Sequence, residues 1–312
     1  MRVQVVTHLW PTEADPQYGV FVRDQVEALR RRSDVEVEVR SFPRGTRQYL
    51  RAAWALRRSV NRSEVDIVHA HYGLSGWSAL ATRARRLIVT FHGTDLRHRI
   101  VGPLSRLLIR LIRLPAAVSR SLAKSRVPGA GTRRSVAVLP CGVELKRFGR
   151  LTRPEARSRL GLEATRTYVL FPSDPRRRVK RYDRARELCN RRPAVELLTL
   201  DAVPPTDVTL WINAANAVLV TSDEEGFGLA VLEALACDVP VLATPVGIAP
   251  IALYGLAGTL CEPFEERRWL AVLDAHLADA DPRVDGRSRA ALFSSDRMAD
   301  RLVAAYAELI SS

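Results

Sequence analysis

Two glutamates eight positions apart, Glu225 and Glu233, bracket a glycine-bearing turn and an apolar segment that reads as a helix. The stretch runs Thr221-Ser-Asp-Glu-Glu225-Gly226-Phe227-Gly228-Leu-Ala-Val-Leu-Glu233-Ala-Leu-Ala-Cys237 and follows an apolar strand at 217–220. If most of the interval is helical, it rises about 12 Å, the length of a sugar, a diphosphate and a ribose laid end to end. Gly226 and Gly228 let backbone N–H groups approach a diphosphate, whose charge a helix N-terminus favours. The spacing therefore suits a clamp for a nucleotide-sugar, with one carboxylate for sugar hydroxyls and one for ribose hydroxyls. Two solvated glutamates on an ordinary strand-loop-helix would be the plain alternative. Against it, Glu233 stands in a very apolar run, where an unpaired carboxylate is costly. Asp238-Val-Pro-Val-Leu-Ala-Thr-Pro-Val-Gly247 then reads as a turn, a buried strand and a glycine turn.

Other residues with chemical potential lie at strand ends. Tyr168-Val-Leu-Phe171 runs into Pro172-Ser-Asp-Pro-Arg-Arg177-Arg-Val-Lys180. A cationic loop after a sheet-opening strand can offset the charge that develops on a leaving diphosphate. A solvated charge run is the alternative. Leu87-Ile-Val-Thr-Phe ends in His92-Gly93, at the carboxyl end of a strand, where ligands of open α/β sheets bind. Asp95 either orients His92 or caps the next segment. Gly19, between a first strand at 3–7 and a helix at 20–32, either serves the turn or admits a phosphate. His69 and His71 end another strand on one face, but a third metal ligand is missing, so they are expected to line a cleft. Asp279 and Asp281 form a D-x-D before Pro282 in a polar loop, which predicts a turn, and no required metal is expected.

The elements that position these residues alternate strand and helix along the 312 residues, which predicts α/β architecture with parallel sheets. The length suits two domains, with a boundary near residue 150 beside a capping box at Thr152-Arg-Pro-Glu155. No apolar run reaches about 18 residues, so no membrane span is expected. The N-terminus is too short and polar for a signal peptide. Cys141, Cys189, Cys237 and Cys261 lie far apart, which suits buried thiols in a reducing cytoplasm. Net charge is +14, carried almost wholly by arginine, and it favours anionic partners. A nucleotide diphosphate and an anionic membrane surface both fit. Nucleic acid does not, because zinc-finger spacing and RNP-type aromatics are missing. Arg106, Arg110 and Arg113 recur at helical spacing among the leucines and isoleucines of 104–114, either as a helix that lies on a membrane or as a domain helix with arginines in water.

The Glu225–Glu233 passage resembles the C-terminal signature of glycosyltransferase family 4, the retaining GT-B enzymes, whose E-x7-E motif it matches. Pro11, Gly19, Phe21 and Gln25 resemble the family's N-terminal loop, and Leu139-Pro-Cys-Gly-Val-Glu144 its passage out of the first domain, with Glu where Asp is usual. Glu-Ala-Leu-Ala-Cys237 resembles a shorter bacterial branch. The resemblance implies two doubly wound, Rossmann-like domains facing across a cleft. Residues 1–150 would bind the acceptor, residues 151–295 the nucleotide-sugar, and the helix in 296–312 would cross back to the first domain. It implies a cytoplasmic hexosyltransferase, peripheral at the inner face of the membrane, using a UDP- or GDP-linked sugar and a saccharide or lipid-linked acceptor in cell-envelope, polysaccharide or glycolipid synthesis. No cofactor is implied beyond the nucleotide-sugar co-substrate. His92, Lys180 and Glu225 would act at the reacting centre. Gly19, Arg177, Gly226, Phe227, Gly228 and Glu233 would hold the donor. The family's phosphate-gripping Arg and Lys lie six apart. Lys180 matches the Lys, but Asp174 stands at the other position, so Arg176, Arg177 or Arg178 must supply the second charge. After Gly247, Ile248-Ala-Pro-Ile replaces the usual acidic residues. A weakened, non-catalytic binding protein and an epimerase or hydrolase on the same fold are the competing readings.

Overall fold

The computed structural model describes residues 1–59, 64–126 and 136–312. They form two compact units: residues 1–142 with 295–312, and residues 143–294.

The first unit contains β1 (Arg2–Thr7), α1 (Val20–Arg30), β2 (Glu36–Ser41), α2 (Thr46–Ser59), β3 (Ile67–His71), α3 (Gly73–Ala79), β4 (Leu87–Phe91), α4 (Thr94–Arg97), α5 (Val101–Ile109), β5 (Leu114–Ala117), α6 (Arg120–Arg126) and β6 (Ala137–Val138). Its six strands are parallel in the order β2-β1-β3-β4-β5-β6. The inner strands β3 and β4 are buried at every position, as expected of parallel strands covered on both faces by helices. The helix expected over 104–114 is shorter and shifted. α5 ends at Ile109, Arg110 is its C-cap, and Leu114 already pairs in β5. Strand pairing of Leu114 with Ile88 thus outweighs the helical periodicity at that end.

The second unit contains α7 (Arg153–Leu160), β7 (Thr167–Phe171), α8 (Tyr182–Asn190), β8 (Val195–Thr199), α9 (Val208–Ala214), β9 (Ala217–Val220), α10 (Leu229–Ala236), β10 (Val241–Ala243), α11 (Ala249–Ala252), β11 (Leu260–Cys261), α12 (Glu266–Leu277) and α13 (Arg287–Ala291). The five strands are parallel in the order β11-β10-β9-β7-β8. Thr152 caps α7 by accepting from the Glu155 N–H, and Gly161 closes it in the left-handed region at φ 67°. Arg153, 1% exposed, donates to the carbonyls of Ala215 and Ala280 and pairs with Asp281 at 2.5 Å. Asp281 also holds Arg283 at 2.8 Å, and Asp279 accepts from the Asp281 N–H. The D-x-D is therefore a turn that anchors buried arginines.

The last helix, α14 (Ser295–Ser311), belongs to the first unit. Met298, Leu302, Tyr306 and Leu309 on its buried face join Val22, Val26 and Leu29 of α1 in one core. Arg31 and Arg32 pair with Asp296 and Asp300 along its length. Arg86 donates to the carbonyls of Leu309 and Ile310, satisfying acceptors that a helix C-terminus leaves open.

Candidate functional site

Each sheet reverses its strand order once. At such a switch point the loops beyond the carboxyl ends of two neighbouring strands diverge and leave a crevice. In the second unit the reversal falls at β7, which lies between β8 and β9. The loop after β7 carries Arg177 and Lys180, and the loop after β9 carries Glu225 to Gly228. Because β7 and β9 pair directly, these loops emerge side by side. Lys180 Nζ meets Glu225 Oε1 at 2.6 Å, with side chains 16% and 11% exposed. Ser222 Oγ donates to the same carboxylate oxygen at 2.8 Å. Thr221 Oγ1 donates to the carbonyls of Lys180 and Arg181, and the Asp223 N–H donates to Val179. Arg181 and Arg184 grip Asp223. The two loops are sewn into one ledge.

Glycine is required at two points of this ledge. Gly228, at φ 90°, is the N-cap of α10. Gly247, at φ 60°, lies so near the Phe227 carbonyl that a Cβ would stand 2.3 Å from its oxygen and 2.9 Å from Glu225 Cβ. The Ile248 N–H donates to that carbonyl at 2.7 Å, and the Phe227 ring is buried. The loop after β10 thereby holds Glu225 from behind.

The expected 12 Å of helix between the two glutamates is not there. α10 begins only at Leu229, so the first half of the interval is turn and the second half rises about 6 Å. The two glycines among the three positions before Leu229, Gly226-Phe227-Gly228, favour a turn over a helical start. Glu233 is partly exposed on α10 rather than enclosed by its apolar neighbours. Arg176 is paired with two carboxylates, Asp174 at 3.0 Å and Asp201 at 2.8 Å. Arg177 and Arg178 remain exposed beside Lys180.

In the first unit the order reverses at β1, beside β3. Gly19 caps α1 at φ 75°, and a Cβ there would lie 2.2 Å from the Leu9 backbone. That approach alone demands glycine. His71, at the end of β3, and His92, just past β4, meet through Nδ1 and Nε2 at 3.0 Å. Gln25 of α1 approaches His71 Nε2 at 3.0 Å through its amide nitrogen. An amide nitrogen only donates, so His71 Nε2 accepts, His71 Nδ1–H donates, and His92 Nε2 accepts. His92 is then left with its proton on Nδ1. His69 stacks on His71 at 4.5 Å and bonds Tyr306 and Thr90. Phe21 packs against His92 at 4.8 Å.

Burial governs the charge states here. It pushes His69 and His92 down to about 3 and His71 well below its ordinary value, with neighbouring imidazoles adding to the shift for His71 and His92. All three are neutral near pH 7. The fully buried Asp95 is pushed up to about 6 by desolvation, against bonds from the N–H groups of Gly93, Gly73 and His92. Asp95 therefore fixes the His92 backbone rather than its ring. His69 and His71, expected to line a cleft, are fully buried instead. Sequence reasoning missed Gln25 and Tyr306 as partners of these histidines, because hydrogen bonds between distant elements leave no mark in local spacing; it also missed Ser222, although that bond to Glu225 spans only three positions. Among the described residues no group of three His, Cys, Asp or Glu side chains is arranged for a metal ion. Cys141, Cys189 and Cys237 are buried free thiols, whereas Cys261 is only half-buried.

Residues 1–147 match the family described as Glycosyltransferase Family 4, and residues 168–279 match Glycosyl transferases group 1. The chain belongs to glycosyltransferase family 4. The glycosyltransferase is 28% identical over 296 residues to the D-inositol 3-phosphate glycosyltransferase of Segniliparus rotundus, covering 77% of this chain and 66% of that protein. It is 30% identical over 301 residues to the enzyme of that name from Geodermatophilus obscurus, with the same coverages. The chain thus spans about two thirds of the length of these relatives. Its GT-B fold is shared with sucrose-phosphate synthase of Thermosynechococcus elongatus, at TM-score 0.77 and 19% identity over 99% of both chains. It is shared also with Anabaena HepE solved with UDP and glucose, at TM-score 0.73 and 14% identity over 98% and 99%.

Proposed function

We propose that this glycosyltransferase moves a hexosyl group from a nucleotide-sugar to an acceptor hydroxyl, with retention at the anomeric carbon. The observation that carries the reading is the Lys180–Glu225 pair on two loops fused at the switch point of the second unit. An ammonium has three donors, so Lys180 can keep Glu225 and still receive a diphosphate oxygen. A cation held there before the reaction offsets charge as the glycosidic bond breaks, and the loss of one such group typically costs about 10²–10³ in rate. Glu225, with Ser222 and Gly247 behind it, presents its second oxygen to sugar hydroxyls. Gly226 to Gly228 offer backbone N–H groups to the diphosphate, Arg177 adds charge beside it, and Glu233 takes the ribose. In the first unit, Gly19 opens α1 toward the donor, and His92, neutral and protonated on Nδ1, donates to a sugar hydroxyl. Residues 1–147 serve the acceptor. A UDP-sugar is favoured by the UDP and glucose bound in HepE. The inositol phosphate relatives favour a polyhydroxylated acceptor.

Calorimetry with UDP and GDP, followed by NMR of the product's anomeric centre, tests the reading. Binding of a nucleoside diphosphate that weakens in Lys180→Met, together with a retained anomer, is expected. Donor consumption without a transferred sugar would assign a hydrolase or epimerase instead, and binding without turnover a non-catalytic nucleotide-sugar-binding protein.

A further inference from the structure

Asp95 is an isolated carboxylate in the first unit: the sequence has no other Asp or Glu between Asp66 and Glu144. Its side chain is fully buried, and no cation among the described residues forms an ion pair with it. Backbone N–H groups hold it instead. Those of His92 and Gly93 donate to Oδ1 at 3.1 and 2.9 Å, and that of Gly73 donates to Oδ2 at 3.2 Å. The first two lie in the loop after β4, and the third opens α3 directly after β3. One carboxylate therefore bridges two loops whose strands pair as neighbours.

Both loops are strained where the carboxylate holds them. Tyr72, just before Gly73, has φ 82° and ψ 142°, and Gly93 has φ 114° and ψ −56°. The first conformation is costly for any residue with a Cβ and persists only where the surroundings over-determine it. Gly73 has no slack toward α5, because a Cβ there would stand 2.0 Å from Ser105 Oγ. The charge is held at a cost to the fold. Desolvation pushes Asp95 up to about 6 against the N–H bonds, above its value in an unfolded chain. Stability is therefore lost as pH rises through about 6 and the group ionises. A residue serving the fold alone would be better neutral. Yet a protonated carboxyl cannot hold the same groups, because an O–H set among N–H donors finds no acceptor in them.

We propose that Asp95 is a positioning residue: its ionised carboxylate locks the β3 and β4 loops into one piece, and His92 meets the donor sugar productively only in that locked state. This role rests on the contact between His92 and the donor proposed above. It makes transfer depend on one ionisation that leaves the fold intact. Around Asp95, His8, His71 and His92 are held neutral by burial, and Tyr72 is pushed up to about 12. Arg106 of α5 donates to the Leu96 carbonyl at 3.3 Å, and Arg97 and the exposed His98 follow on the segment of Asp95 itself. The three imidazoles and the phenol keep their charge states through pH 6, so the lock answers to Asp95.

Glycine-selective nitrogen-15 NMR of the full chain, with no substrate present, tests the lock directly. The Gly73 and Gly93 amide signals should titrate together with one midpoint near pH 6. Signals that do not move, or that move with separate midpoints, would overturn the proposal. At saturating donor and acceptor, kcat should fall about tenfold per pH unit below that midpoint. Asp95→Asn presents an amide nitrogen to the Gly73 N–H, donor against donor, and so parts the loops with little change of side-chain shape. The variant should bind UDP as wild type does, lower kcat at pH 8 by about 10²-fold, and lose the break near pH 6. Its melting temperature at pH 8 should not fall, since a desolvated charge has been removed. Full kcat with a lowered melting temperature would make Asp95 structural only. A break that survives the substitution would belong to another group, such as His98 or the acceptor. Either result overturns the proposal. A wild-type chain that binds UDP but transfers nothing at any pH would instead refute the donor reading, and the glycine midpoints would still decide whether the lock exists.

Discussion

Replacing Lys180 by Met tests whether the Lys180–Glu225 pair serves chemistry or only packing. The two side chains are 16% and 11% exposed and 2.6 Å apart, so each charge is largely removed from water and depends on the other. Removing one partner of a buried pair costs about 3–5 kcal/mol, because it strands the remaining charge. Here the Ser222 hydroxyl still serves Glu225 and both groups keep some solvent, which lowers the expected loss to about 2–3 kcal/mol. For a unit of this size that is a fall of roughly 5–10 °C in melting temperature. The neutral double variant, Lys180→Met/Glu225→Gln, has no stranded charge and should recover most of that stability. If the ammonium also stabilises the departing diphosphate, activity must not recover with it. The rate should stay down by about 10²-fold or more in both single variants and in the double. Calorimetric melting beside a donor-turnover assay separates the two. A double variant that regains both stability and transfer would refute the assigned chemistry and leave the pair a purely structural clasp.

Acidification should unfold the first unit before the second. His8, His69, His71 and His92 have their affinity for protons depressed by burial, to about 4 for His8 and about 3 for His69 and His92. As pH falls below 6.5 the unfolded chain takes up protons that the folded one refuses, so stability declines until the folded values are reached. Asp95, raised to about 6, acts oppositely below that pH and offsets only one of the four. Tyrosine fluorescence and hydrogen exchange across a pH series should show the loss of β3 and β4 first; simultaneous melting of both units would contradict it. Gln25→Ala removes the donor that sets the His71 tautomer, and should lower turnover by about 10²-fold with little change in donor affinity, as expected when a positioned group drifts; unaltered turnover would dissociate His71 from His92. Gly247→Ala places a Cβ against the Phe227 carbonyl at positive φ and should cost about 1–3 kcal/mol in urea unfolding of the second unit, with weakened nucleotide binding. Transfer in the presence of a chelator should match the untreated rate, with Lys180 supplying the cationic charge; a dependence on added divalent ion would count against that role.

Much of this protein is legible in one dimension. Apolar strands of four to six residues, each followed by a helix, dictate two parallel sheets, because such strands need helices on both faces to bury them. The Thr152–Glu155 cap and the Gly161 stop mark α7, since capping is a contact between neighbours in sequence. The Glu225-Gly-Phe-Gly228 turn announces itself because glycine and carboxylates in that order have few other uses. What the sequence does not contain is which strand lies beside which. Only the β9–β7 pairing brings Lys180, 45 positions away, onto Glu225, and only the packing of α1 and α14 on the first sheet sets Gln25 and Tyr306 against buried histidines. The arginine periodicity at 104–114 shows the same limit from the other side: the pattern favoured a longer helix, and the register of Leu114 in the sheet ended it. Local chemistry selects elements, but the partners of a charge or an imidazole are chosen by strand order, which is a property of the whole fold.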